Sequence, residues 1–206
     1  MENIIVSNEF DEHGRQIAAI VDCLNRGGVI AAPTETVFGL MTAWDNDGGK
    51  RQIYKLKGRS GDKPLQMLAA DLPMAFRLGL QPDDRLWRLA ADFWPGPLTV
   101  VAPAEADTTI GLRIPDHPLI LSLIKRFGKP LAATSANRSG EPPVMSPARI
   151  PESLNEEPDL LVTGQDAIGG QASTVIVLLA DGWRILRKGP VTVASLASVL
   201  GPQAGK

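Results

Sequence analysis

The chain has almost no cysteine: Cys23 is the single one in 206 residues. No internal disulfide can form, which favours a reducing compartment. Cys23 lies among apolar residues and reads as an inert core thiol in preference to a nucleophile. An excess of charge of either sign is missing too, with 21 basic against 23 acidic side chains. Bulk electrostatics therefore draw the chain neither to nucleic acid nor to an anionic membrane, and any basic site must be local. No apolar run approaches the roughly 20 residues that span a bilayer. The first residues, "MENIIVSNEF", lack the basic start and apolar stretch of a signal peptide. The expectation is a soluble, cytoplasmic protein.

Familiar motifs are also missing. There is no GxxxxGK[ST] phosphate loop, no GxGxxG after a strand and no Cys/His spacing suited to a metal. Ser135, His117 and Asp116 make a triad only on paper, because no GxSxG elbow supports it. Repeats and low-complexity tracts are absent, and the 17 prolines and 20 glycines are spread through loops instead of marking one linker. Residues 1–206 are expected to form a single domain.

What is present is an interleaving of short helices and strands. Ile17, Ile20, Val21 and Leu24 follow helical spacing, with Gly27 and Gly28 as the stop. "VIAAP" reads as a buried strand ended by Pro33. Asp45 and Asp47 are possible caps for a helix carrying Ile53 and Leu56, which exits into the loop "KGRSGDKPL". Leu86, Leu89, Ala90 and Phe93 mark another helix, followed by strand-like "LTVVAP" and "IGLRIP". A helix begins near His117 and Pro118 and stops at Gly128. "PLAATS", "DLLVTG", "STVIVLLA" and "WRILRKG" complete the strands, the last two as a hairpin at "DGW", and Thr192 caps a final helix. The fold class is α+β in mixed layers, with antiparallel pairs inside a mixed sheet.

Lys55, Lys57, Arg59 and Lys63 gather four positive charges within nine residues, with Asp62 the one acid among them. Lys57 and Arg59 can be aimed at one anion if the segment between them is extended; the alternative is an exposed basic loop after a helix C-terminus. Arg113 sits in an apolar strand, where a structural salt bridge and ligand binding are both open. His117, ahead of Pro118, suits capping or packing better than acid/base work, and His13 suits the surface. In "KPLAATSANRSGEPP" a strand dissolves into small polar residues that suit a chain reversal or a ligand.

Taken in order, "PTETVFGL", "KGRSGDKPL", "WPGPLTVV", "GLRIPDHP", "TSANRSGEPP", "STVIVL" and "ILRKGPV" resemble one family, the YrdC/Sua5 threonylcarbamoyl-AMP synthases, over about residues 15–195. The resemblance implies a twisted mixed sheet flanked by helices, with a large concave active-site face. It implies that L-threonine, bicarbonate and ATP, with Mg²⁺, give threonylcarbamoyl-adenylate and pyrophosphate. A separate tRNA threonylcarbamoyl transferase complex, the expected partner, would use the product for N6-threonylcarbamoyladenosine (t6A) in tRNAs that read codons beginning with A. Lys57 and Arg59 match the KxR motif and Ser135 and Asn137 the SxN motif, together lining the catalytic and ATP-binding site. Arg187 matches a nucleotide-contacting arginine. Thr34, Lys63, Arg113 and Ser173 match positions around threonine, with Arg113 suited to its carboxylate.

Two departures stand out: Ser60 where proline is common after KxR, and Phe38 where tyrosine is common. Because the chain ends soon after "ILRKGPV", it resembles the short YrdC-type form without the Sua5-type C-terminal domain. Retention of both KxR and SxN argues against the YciO-like branch. Two other classes stay open: an RNA-binding or RNA-maturation module with weak RNA affinity, and a carbamoyl-transfer enzyme acting on another amine.

Overall fold

Short apolar runs separated by Gly, Pro and Asp bury themselves by pairing, and the ten strands of the described residues do so in one sheet. The computed structural model describes residues 4–6, 15–61, 63–163 and 169–204, so His13 and Asp62 lie outside the described residues. The strands are β1 (Ile4–Val6), β2 (Ile30–Ala32), β3 (Gly39–Ala43), β4 (Gln66–Leu68), β5 (Leu98–Pro103), β6 (Thr109–Arg113), β7 (Leu131–Ser135), β8 (Leu160–Thr163), β9 (Thr174–Leu179) and β10 (Gly182–Arg187). The helices are α1 (Arg15–Asn25), α2 (Asp47–Lys57), α3 (Leu72–Phe76), α4 (Asp84–Phe93), α5 (Pro118–Phe127) and α6 (Val193–Leu200). None is long and apolar enough to cross a membrane.

The sheet order is β1-β8-β2-β3-β7-β4-β6-β5-β9-β10 among the described residues. Pairing is mixed: β1 with β8, β8 with β2, β4 with β6 and β5 with β9 are parallel, and the remaining neighbours are antiparallel. The β9–β10 hairpin, the α5 start at Pro118 and the Thr192 cap of α6 match the sequence reading. Four elements do not: β1, β4 and α3 are only three to five residues long, and β3 is buried throughout, so none of them shows a period.

The α2 cap also differs. Asn46, not Asp45 or Asp47, accepts the Gly49 N–H at 3.1 Å, and its Nδ2 donates to the Gly27 carbonyl at 2.8 Å. Asp45 instead pairs with Lys129 at 2.7 Å, and Asp47 already lies inside the helix. One side chain thus closes the start of α2 and fixes the turn after α1.

The period of two along the strands divides the right-hand half of the sheet. Leu98, Val100, Ala102, Leu112, Ile176 and Leu178 are buried in the main apolar core. Their neighbours Thr99, Val101, Gly111, Arg113 and Val175 face the other way, and no strand residue between them changes sides. Helix α1 packs on α5 and α4 on α6, while α2 closes a second apolar cluster with Phe38, Leu40 and Ala132. Cys23 is buried, and burial pushes its thiol pKa up, which fits an unreactive core residue.

Replacing Asn46 by Ala removes a helix cap and the tie to Gly27. The expected loss is about 1–2 kcal/mol in urea unfolding; a change below about 0.5 kcal/mol would show that the cap is not needed.

Candidate active site

The KxR segment is shaped by the end of α2. Gly58 takes φ 57°, ψ 38°, and the Gly58 and Arg59 N–H groups bond back to Lys55 and Tyr54 carbonyls at 3.1 and 3.0 Å. This left-handed stop suits glycine, since a side chain there is strained. The segment between Lys57 and Arg59 is therefore not extended, and the two cations diverge. Lys57, only 2% exposed, turns inward: its Nζ donates to the carbonyls of Ser135 and Asn137, both at 2.5 Å. In return the Ser139 N–H donates to the Lys57 carbonyl at 3.0 Å. Burial first, and the charge of Arg59 second, lower the Lys57 pKa to about 8.

Arg59 goes the other way, donating from Nη1 to the Thr134 hydroxyl at 3.0 Å; its buried Nε has no partner. It lines a cavity of about 300 Å³. The floor is the open face of β4, β6, β5 and β9, where Gly111 leaves room between Gln66 and Thr99. Ser135 is at one rim, and Ser173 and Arg187 are at another. Arg187 is anchored by Nε to the Ser173 carbonyl and by Nη2 to the Ser173 hydroxyl, both at 3.0 Å. Gly189 lets the chain after β10 close on this segment, because a Cβ there would meet Thr174 N at 2.3 Å.

Arg113 also lines the cavity, at 3% exposure, and resolves both readings of its sequence context. Its Nη2 donates to Glu35 Oε1 and, at 2.9 Å, to the Thr36 hydroxyl, so it is paired and cavity-facing at once. His117 is 2% exposed and makes no side-chain cap bond, so packing, not capping, describes it. Burial lowers its pKa, opposed in part by Glu35.

The remaining residues are placed differently. Asn137 does not line the cavity; its Nδ2 donates to the Arg138 and Glu141 carbonyls at 2.7 and 2.8 Å, which shapes the turn after β7. The Thr34 hydroxyl is occupied by the turn at 34–37, donating to the Val37 carbonyl at 2.7 Å, and the neighbouring Thr36 lines the cavity instead. Lys63 is exposed, with its carbonyl accepting from the Tyr54 hydroxyl at 3.2 Å. Phe38 is fully buried, so this core position holds a ring without needing a hydroxyl partner, and Ser60 is exposed. Glu35, Thr36, Gln66 and Thr99 were missed in the sequence; a polar residue at the inward position of an apolar strand, as in "LTVVAP", is the signal that marks Thr99.

A mixed sheet whose uncovered face is ringed by three guanidinium groups defines an α/β protein suited to anionic ligands. The family described as "Telomere recombination", which groups Sua5, YciO and YrdC, matches residues 22–189, and the chain belongs to it. Threonylcarbamoyl-AMP synthase of Bacillus subtilis (strain 168) is 34% identical over 207 residues, covering 96% of this chain and 60% of that protein. The synthase of Chromohalobacter salexigens is 37% identical over 172 residues, covering 78% of this chain and 90% of its own length. Among solved structures, P. abyssi Sua5 complexed with L-threonine superimposes with a TM-score of 0.89 at 31% identity, over 97% of this chain and 61% of that one. The chain thus spans about 60% of the length of some of the relatives it matches.

The Lys57 pKa carries a sign. Its folded value of about 8 is below the ordinary 10.5, so between those values the unfolded chain binds the extra proton. The stability of the wild type relative to Lys57→Met is expected to rise as pH goes from about 8 towards 10. Urea unfolding of both proteins checks this, and a flat or falling difference contradicts it.

Proposed function

We propose that the chain forms threonylcarbamoyl-adenylate and pyrophosphate from L-threonine, bicarbonate and ATP. The observation that carries the reading is the convergence of Arg59, Arg113 and Arg187 on one sheet-floored cavity, in a chain whose relatives bear the name of that synthase. The amine of threonine and bicarbonate first yield a carbamate and water. A carbamate oxygen then attacks the α-phosphorus while pyrophosphate leaves on the opposite side. Such a displacement needs alignment and charge stabilisation more than a protein nucleophile.

In this scheme Arg113, held by Glu35, receives the threonine carboxylate, a task for which a planar guanidinium is suited. Arg59 and Arg187 face the phosphates, and Ser135 offers a hydroxyl at the rim. Lys57 and Asn137 shape the turn that presents Ser135, with Lys57 reaching the nucleotide only if it leaves its two carbonyls. Ser173 anchors Arg187 beside the amino acid, Thr34 holds the turn carrying Thr36, and Lys63 would contribute from outside the cavity. At about 300 Å³ the cavity is at the small end of ligand pockets, so it suits the amino acid and phosphates, with the nucleoside towards the open rim.

Mg²⁺ is proposed to arrive on ATP. The described residues hold no group of three or more His, Cys, Asp or Glu suited to a metal, so the fit is to a cation borne by phosphate oxygens. Bound there, it shares their negative charge. The product would serve a tRNA threonylcarbamoyl transferase complex in t6A formation. An RNA-binding module is not favoured, because the arginines converge inside the cavity and the total charge is slightly negative. Carbamoyl transfer to another amine would show as activity with carbamoyl phosphate in place of bicarbonate and ATP.

With ATP, Mg²⁺ and bicarbonate, pyrophosphate release is expected only when threonine is added, with an adenylate of the corresponding mass; threonine-independent release, or none, contradicts the proposal. Arg59→Ala is expected to lower turnover about 10²-fold with an unchanged unfolding midpoint. An unchanged rate removes Arg59 from the site.

A further inference from the structure

A chain of four side chains crosses the cavity floor. Arg187 Nη2 donates to Ser173 Oγ at 3.0 Å, Ser173 Oγ meets Thr99 Oγ1 at 2.9 Å, and Thr99 Oγ1 donates to Gln66 Oε1 at 2.9 Å. The direction is set from the Gln66 end: Thr99 has one proton and spends it on Gln66 Oε1, so it can only accept from Ser173, while the guanidinium only donates. Ser173 thus accepts a hydrogen bond from Arg187 and donates one to Thr99, which donates one to Gln66. The amide oxygen of Gln66 is thereby fixed against Thr99, and the Nε2 group has no partner among the described residues. Gln66 lines the cavity. Gly111 lies on the strand between them and puts no side chain beside the link.

We infer that Gln66 reads the β-hydroxyl of the amino-acid substrate through an Nε2 N–H, and that Thr99 and Ser173 hold its amide in the donating orientation. The inference rests on the proposed synthase reading and assigns its selectivity. Charge sorts the other groups: a carboxylate belongs on Arg113 and phosphates on Arg59 and Arg187, leaving a neutral amide for a neutral acceptor. Val101 and Val175 stand on the same face and suit the adjoining methyl group. An amino acid of the same shape without the hydroxyl leaves the fixed amide unpaired, and the site discriminates against it.

The test compares kcat/KM for L-threonine and L-2-aminobutyrate in adenylate-linked pyrophosphate release. Wild type is expected to favour threonine by about 10-fold or more. Gln66→Leu should bring the ratio to about one, and Thr99→Val, which removes the hydroxyl that holds the amide, should narrow it in the same direction while Thr99→Ser restores it. A wild-type ratio in either variant overturns the inference, and so does a wild-type enzyme that accepts both amino acids equally. Thr99→Val is close to isosteric and supplies the answer if Gln66→Leu lowers the unfolding midpoint. Wild type releasing no pyrophosphate with threonine would instead refute the synthase reading, and this inference with it.

Discussion

An ammonium group lodged between two backbone carbonyls joins the two ends of the site. Lys57 closes α2, Ser135 closes β7, and Asn137 opens the turn beyond it; the three meet at Lys57 Nζ. Burying a lysine charge is costly unless hydrogen bonds compensate. Two carbonyl dipoles do so here, although the lowered pKa shows that compensation is incomplete. The return bond from Ser139 to the Lys57 carbonyl makes the link mutual and ties the two loops together. Arg59, two residues on and beyond a left-handed glycine, is released to face the cavity.

The rest of the site follows from how the helices cover the sheet. The core beneath β5, β6 and β9 is closed with Leu86, Leu89 and Leu196 of α4 and α6, so these strands send alternate residues into hydrocarbon. The intervening residues are freed to be polar, and Thr99, Arg113 and Gln66 use that freedom. Glycine at 111 and alanine at 133 keep the floor low. The cavity is thus an uncovered part of a sheet face, with its edges raised by the turn at 34–37, the start of the loop after α2 and the approach to β9.

Legibility in the sequence depended on a visible period or a flanking stop residue: three-residue β2 is readable through Pro33, whereas five-residue β3 has neither. α5 announces itself through Pro118, the Leu119/Leu123/Phe127 spacing and Gly128, and β9 and β10 through apolar runs joined at a tight turn. β4 is three residues long and cannot display a period, although it carries Gln66. The cap of α2 was misassigned because Asp45, Asn46 and Asp47 are chemically similar and only geometry separates them. Local sequence left Lys57 and Arg59 between an anion site and a basic loop; their opposite directions depend on one φ value at Gly58. The Glu35–Arg113 pair spans 78 residues of chain, and no local pattern could announce it.

The cavity floor is stitched from distant chain segments, with β5 lying between β6 and the much later β9. On a ribosome, β5 and β6 would emerge with one long edge unsatisfied, waiting for residues Thr174–Leu179 to arrive. The ligand-facing surface is therefore among the last features a nascent chain completes. A truncated product would expose a bare strand edge in place of a weakened pocket, making it a target for quality control before it could be a partial enzyme.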